Sequence, residues 1–205
     1  MKKTIIPIVG MMLMLAAFVA CEKENKVDID PDQVVVDPTE TGDSVLLHAS
    51  FDEAIPATWT NIDQDGDGNK WRLFSDDFPY TGLGFCGTDC LASCSEYPLK
   101  PDNLIVSPQF HIPGSGGYTL SFWYSALNAN KFRETYTVYV GKMKDGAFVP
   151  IGTLLEETTD DCVLHQHTIS LDQYKGYDLR IAFRHHNTTM MSYLLIDEVN
   201  VTLTK

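Results

Sequence analysis

Positive charge is scarce in this chain. Its 205 residues carry 15 Lys and Arg against 28 Asp and Glu, a formal net charge of −13. So acidic a chain has no basic footprint for a phosphate backbone, which argues against nucleic acid and anionic membrane surfaces as partners. Helical periodicity is scarce too. No run longer than about ten residues repeats every 3.6 positions, so a helical fold is not expected. Catalytic signatures are missing: the chain has no G-x-S-x-G nucleophile elbow and no H-E-x-x-H. Glu156-Glu157 and Asp160-Asp161 are adjacent carboxylates. Neighbours on a strand face opposite ways, so they make a poor acid–base couple. Together with Thr158 and Thr159 they read as a solvated loop. His165-Gln166-His167 puts two imidazoles on one strand face, a possible metal pair that only Asp160 and Asp161 could complete. A half-exposed strand is the simpler reading. His185-His186 points to opposite faces at a strand end. An enzyme is not expected.

What the chain does have begins with an export signal over residues 1–20. Lys2 and Lys3 precede an almost wholly apolar stretch from Thr4 to Ala20. Phe18-Val19-Ala20-Cys21 resembles a bacterial lipobox, with Phe18 where Leu is commoner. That resemblance implies cleavage before Cys21 and a diacylglycerol on its sulfur, which would tether the protein to a membrane. The expected place is the cell envelope, as a surface-exposed outer-membrane lipoprotein whose only membrane contact is the anchor. Ordinary secretion is the alternative. Residues 21–43 follow as a tether. Glu22 to Asp43 holds eight acidic and two basic residues with Pro31 and Pro38, a composition unable to bury a core.

Residues 44–205 amount to one domain. Tyr118, Leu120, Phe122 and Tyr124 alternate with Thr119, Ser121, Trp123 and Ser125, a period of two. Tyr136 to Val140 repeats the pattern, and Lys144-Asp145-Gly146 signals a hairpin. Val45–Phe51, Leu104–Pro108, Val163–Leu171, Leu179–Phe183 and Tyr193–Leu203 read as further strands. Many short strands broken by Gly and Pro point to an all-β fold, a jelly-roll β-sandwich.

One acidic stretch stands out. Asp63, Asp65 and Asp67 alternate with small or polar residues and run into Asn69. Such carboxylates repel unless a hard cation joins them, and Ca²⁺ takes about six to eight oxygen ligands of this kind. Gly66 and Gly68 allow the tight turn that aims several oxygens at one point. The spacing starts like an EF-hand, but Phe74 stands where that loop has its bidentate Glu. A calcium loop in a β protein is the expectation, and a solvated acidic turn is the alternative.

Four cysteines remain beyond Cys21. Cys86, Cys90 and Cys94 fall within one loop, Gly84 to Ser95, and Cys162 lies far downstream. Export favours disulfides, and the preferred pairing has one bond within the triplet and one from the triplet to Cys162. Zinc bound by the thiolates is the alternative.

Several segments together resemble the cleaved adhesin domain, also called choice-of-anchor J, of gingipain haemagglutinin regions. They are Phe51-Asp52-Glu53 with Ile55-Pro56, Trp59, the acidic loop and Trp71; then Pro101 to Pro108; then Leu120-Ser121-Phe122-Trp123; then Leu194-Leu195-Ile196-Asp197-Glu198-Val199. The resemblance spans about Leu46 to Thr204 and implies a calcium-binding jelly roll. The cysteine-rich stretch and Glu198 depart from the family pattern. With first and last strands as neighbours, Asp52 and Asp197 become further calcium ligands, or Asp197 caps a turn. Asp102-Asn103 reads as a turn former. The expected function is a surface adhesion module that contacts a host protein, a glycan or another envelope subunit. The calcium is structural, and the contact surface is drawn from Phe78, Tyr80, Phe85 and Tyr97. A carbohydrate-binding accessory domain of a hydrolytic system and a structural subunit of a surface assembly are the alternatives.

Overall fold

The computed structural model describes residues 45–78 and 89–204. The signal stretch, Cys21, the tether, Tyr80, Phe85 and Cys86 lie outside the described residues.

The strands are β1 Val45–Ala49, β2 Thr60–Asp63, β3 Arg72–Leu73, β4 Leu91–Cys94, β5 Asn103–Val106 and β6 Phe110–His111, then β7 Gly117–Ala126, β8 Thr135–Lys144, β9 Ala147–Thr158, β10 His165–Ser170, β11 Asp178–His185 and β12 Tyr193–Thr204. One turn of helix, α1, covers Phe74–Asp77. The strands form two antiparallel sheets of six. One runs β10-β7-β12-β4-β3 with β1 also on β12, and the other β2-β5-β11-β8-β9 with β6 on β11. This is the expected β-sandwich.

Alternation builds the core. Tyr118, Leu120, Phe122 and Tyr124 of β7 are buried, with less buried residues between them, as period two requires. They meet Tyr136, Val138, Ile181 and Phe183 of the other sheet, with Phe122 and Phe183 edge to face at 5.0 Å. Asp145 and Gly146 turn the β8–β9 hairpin with φ of 52° and 81°, the left-handed pair that suits a tight hairpin. First and last strands are neighbours, since Ala49 lies opposite Val199. A register irregularity follows Asp197 in β12.

Two sequence expectations need correction. Residues 91–94 are not loop: β4 pairs with β12, and all four residues are buried. Ser93 faces the interior, while Ala92 and Cys94 pack outside with Phe74, Tyr193 and Leu195. A strand covered on both faces shows no alternation, and its Ser and Cys disguised it. Likewise Glu156, Glu157 and Thr158 belong to β9 rather than to a solvated loop. Glu157 is drawn in by Tyr136 and His167, at 3.2 and 2.9 Å.

Among the described residues, a link from Cys162 to Cys94 is not made, and Cys86 lies outside them. Cys94 and Cys162 are free thiols. Strand β10, which follows Cys162, is three strand spacings from β4 in the sheet, about 14 Å, whereas a disulfide needs Cα atoms within about 7 Å. Native N-ethylmaleimide should therefore label half-exposed Cys162, and label Cys94 only after unfolding. Burial covers the Cys94 thiol and pushes its pKa up. Mass mapping that finds Cys162 joined to Cys94 would contradict this.

Candidate functional site

The acidic turn leaves β2 and folds back on itself. Both oxygens of Asp63 accept backbone N–H groups, from Gly66 at 2.7 Å and Gly68 at 2.8 Å. Those glycines have φ of 74° and 87°, which explains their presence. Donation from Gly68 is the main reason the Asp63 pKa is lowered. Asp65 moves the other way. Its pKa is raised by desolvation first, then by its hydrogen bond with Asp63 and the charge of Asp67. The carboxylates of Asp63, Asp65 and Asp67 bring an oxygen each within 4.8 Å of one another. A cation would relieve the repulsion, so this donor set fits Ca²⁺.

The other expected ligands have contacts of their own. Asn69 turns its side-chain oxygen to Arg72, 3.1 Å away. Asp197 is wholly buried in β12 and accepts the N–H of Glu198 at 2.8 Å. Asp52 follows β1 and is half-buried. Neither Asp52 nor Asp197 belongs to the Asp63 group.

Beside the acidic turn lies a cleft of about 440 Å³, lined by Asp65, Lys100, Asp102, Arg184, His186 and the turn Asn187–Thr189. Turn and cleft are tied together, because Gln64 N–H donates to the carbonyl of Asp102 at 2.9 Å. Asp102 is more than a turn former. It grips the Arg184 guanidinium through two bonds of 2.7 Å, and this pairing raises the Arg184 pKa. The His186 pKa is lowered, by burial first and then by Arg184. Thr188 accepts from Thr135 N–H, and Thr189 donates to the Leu99 carbonyl, each at 2.8 Å. The wall is polar, charge-balanced and held in place.

Underneath sits a network that sequence alone did not reveal. His185 Nδ1 is 2.8 Å from Ser93 Oγ, and its Nε2 is 3.0 Å from Glu134 Oε2. The order Ser–His–Glu imitates a hydrolase triad. All three side chains are fully buried in the sandwich, so no substrate reaches them and they act as a structural pin. The doublet does split as expected, with His185 inward and His186 outward, where it lies 2.7 Å from Thr137.

Of the four aromatic candidates, Phe78 and Tyr97 fall among the described residues. Trp71 is a core residue, donating from its indole to the Asn103 carbonyl at 3.0 Å. Phe78 stacks on Phe74 at 4.6 Å. Tyr97 is 78% exposed and keeps its candidacy.

Comparison with known proteins agrees with this architecture. The family model of the Cleaved Adhesin Domain matches residues 44–201. Hemagglutinin A of Porphyromonas gingivalis is 34% identical over 181 residues, covering 77% of this chain and 7% of that protein. Lys-gingipain W83 of the same organism is 33% identical over 180 residues, covering 77% of this chain and 10% of that protein. The chain thus spans a tenth or less of these relatives. Among solved structures, the K3 cleaved adhesin domain of Lys-gingipain superposes with a TM-score of 0.65 at 32% identity, over 78% of this chain and 99% of that one. A xylan-binding CBM22 domain from Paenibacillus barcinonensis, at 15% identity and TM-score 0.52 over 80% and 96% of the two chains, shares the fold alone. The chain belongs to the cleaved adhesin domain family.

Proposed function

We propose that this protein is a calcium-stabilised, lipid-anchored adhesion module of the cell surface, and that it holds its partner in the cleft beside the acidic turn. The observation that carries the reading is the shared wall: Asp65 belongs both to the carboxylate trio and to the cleft. A cation ordering the turn would therefore order one side of the binding site, and an ordered site loses less entropy on binding. The remaining wall offers guanidinium, carboxylate, amide, imidazole and hydroxyl groups in fixed positions. Such groups suit the hydroxyls of a glycan, on a cell surface or on a glycosylated host protein. Cys21 is the proposed anchor and residues 22–43 the proposed spacer.

The test is a binding screen of the full chain against a glycan array and a panel of host surface proteins, with calcium and with EDTA. Arg184→Ala removes the bidentate partner of Asp102 and should weaken capture at least about tenfold, since a charged hydrogen bond is worth roughly 1.5–3 kcal/mol. A ligand captured equally by Arg184→Ala and by the EDTA-treated protein would remove the cleft from the proposal.

A further inference from the structure

A second cluster of donors lies away from the cleft. The chain passes from one sheet to the other between β9 and β10, and in that turn Asp160, Asp161 and His165 bring a donor atom each within 4.8 Å of one another. His165 Nε2 is 2.8 Å from Asp161 Oδ1. The imidazole sets this group apart from an acidic turn, because hard cations such as Ca²⁺ take oxygen alone.

The surroundings point the same way. His167, two residues on along the same face, pairs with Glu157 at 2.9 Å. Tyr124 stacks flat on the His167 ring at 4.6 Å and lies 5.6 Å from that of His165, so both imidazoles are held at the open edge of the sandwich. Three carboxylates, Glu157, Asp160 and Asp161, meet here. Among the described residues no Lys or Arg forms an ion pair with them. Their charge reaches Tyr124, whose pKa is raised by burial first and then by Glu157, Asp160 and Asp161. Negative charge without a basic partner, beside an imidazole, favours a cation that binds both nitrogen and oxygen.

We propose that Asp160, Asp161 and His165 form a site for a first-row transition cation such as Zn²⁺, distinct from the all-oxygen site at Asp63, Asp65 and Asp67. Three protein ligands with a mixed N and O donor set leave a fourth position for water or an outside donor, as in open zinc sites. The ion would replace the direct Asp161–His165 contact and clip the turn after β9 to the start of β10.

The experiment is a titration of the full chain, saturated with Ca²⁺, by Zn²⁺ in a calorimeter and by Co²⁺ in the visible spectrum. One equivalent should bind, with Co²⁺ bands of a low-coordinate site. His165→Ala and Asp161→Asn should each weaken Zn²⁺ by more than the roughly 10–100-fold typical of losing an outer-shell partner. Asp65→Asn should leave Zn²⁺ binding unchanged. Melting curves in EDTA verify that the variants fold. Absence of a one-equivalent site, retention of it in both turn variants, or displacement of Zn²⁺ by millimolar Ca²⁺ would each overturn the proposal.

Discussion

Glu134→Ala should lower the stability of the domain by about 3–5 kcal/mol, the cost of breaking a buried, hydrogen-bonded pair from one side. Every oxygen of the carboxylate is in use. Oε2 accepts the Ser95 hydroxyl at 2.8 Å and faces His185 Nε2 at 3.0 Å, while Oε1 accepts Ser192 N–H at 2.8 Å. These partners come from β11 and from the ends of β4 and β12, so one carboxylate ties both sheets together at one end. Removing it leaves His185 Nε2 and the Ser192 amide buried without that partner, and the Ser95 hydroxyl with only the Ser192 carbonyl at 3.3 Å. Ser93→Ala removes one hydroxyl from the same network and should cost only about 1–3 kcal/mol. Urea denaturation measures both. Loss of under 1 kcal/mol in Glu134→Ala would show that the network is not the pin inferred here.

Calcium removal is expected to give the second large effect. A cation that binds only the folded turn at about 100–1,000 times its Kd adds roughly 2.7–4.1 kcal/mol, or about 5–15 °C in Tm for a domain of this size. The pH dependence follows from Asp65. Its pKa is raised in the folded state, chiefly by desolvation and then by Asp63 and Asp67, so folding favours its protonated form. Without metal, the ionised group therefore costs stability above its folded pKa, and the cost is relieved as pH falls through that value. Bound Ca²⁺ would relieve the same repulsion at neutral pH and would compete with the proton. The calcium-dependent rise in Tm should be full at neutral pH and shrink as acidification protonates Asp65. Asp65→Asn should raise the metal-free Tm slightly and abolish most of the calcium response. A Tm indifferent to EDTA at pH 7 would reject the site.

Much of the sandwich was legible because its central strands face the core on one side only. The alternation from Tyr118 to Ser125 states which face is buried, and Asp145-Gly146 states where the hairpin turns. Strand β4 was hidden because both its faces are covered, and the far end of β9 because its exposed edge mixes charge with apolar residues. The acidic turn was legible for a local reason: its ligands and its glycines are within six residues of one another in the chain. The cleft was not. Asp102 and Arg184 meet only because β5 pairs with β11, and His185 meets Glu134 and Ser93 only once both sheets close. Contacts set by strand register over such separations leave no local spacing to read. The cysteine triplet misled for a related reason, since closeness in sequence suggested a loop where the chain builds a strand.

The most direct test of the proposed site is amide chemical-shift mapping of the calcium-loaded domain with the tightest ligand from the binding screen. Perturbations should cluster at Lys100, Asp102, Arg184 and Asn187–Thr189 and extend into Asp63–Gly68 across the shared Asp65 wall. Perturbations confined to the β9 edge, or to the outer face around Tyr97, with the cleft unmoved, would contradict it.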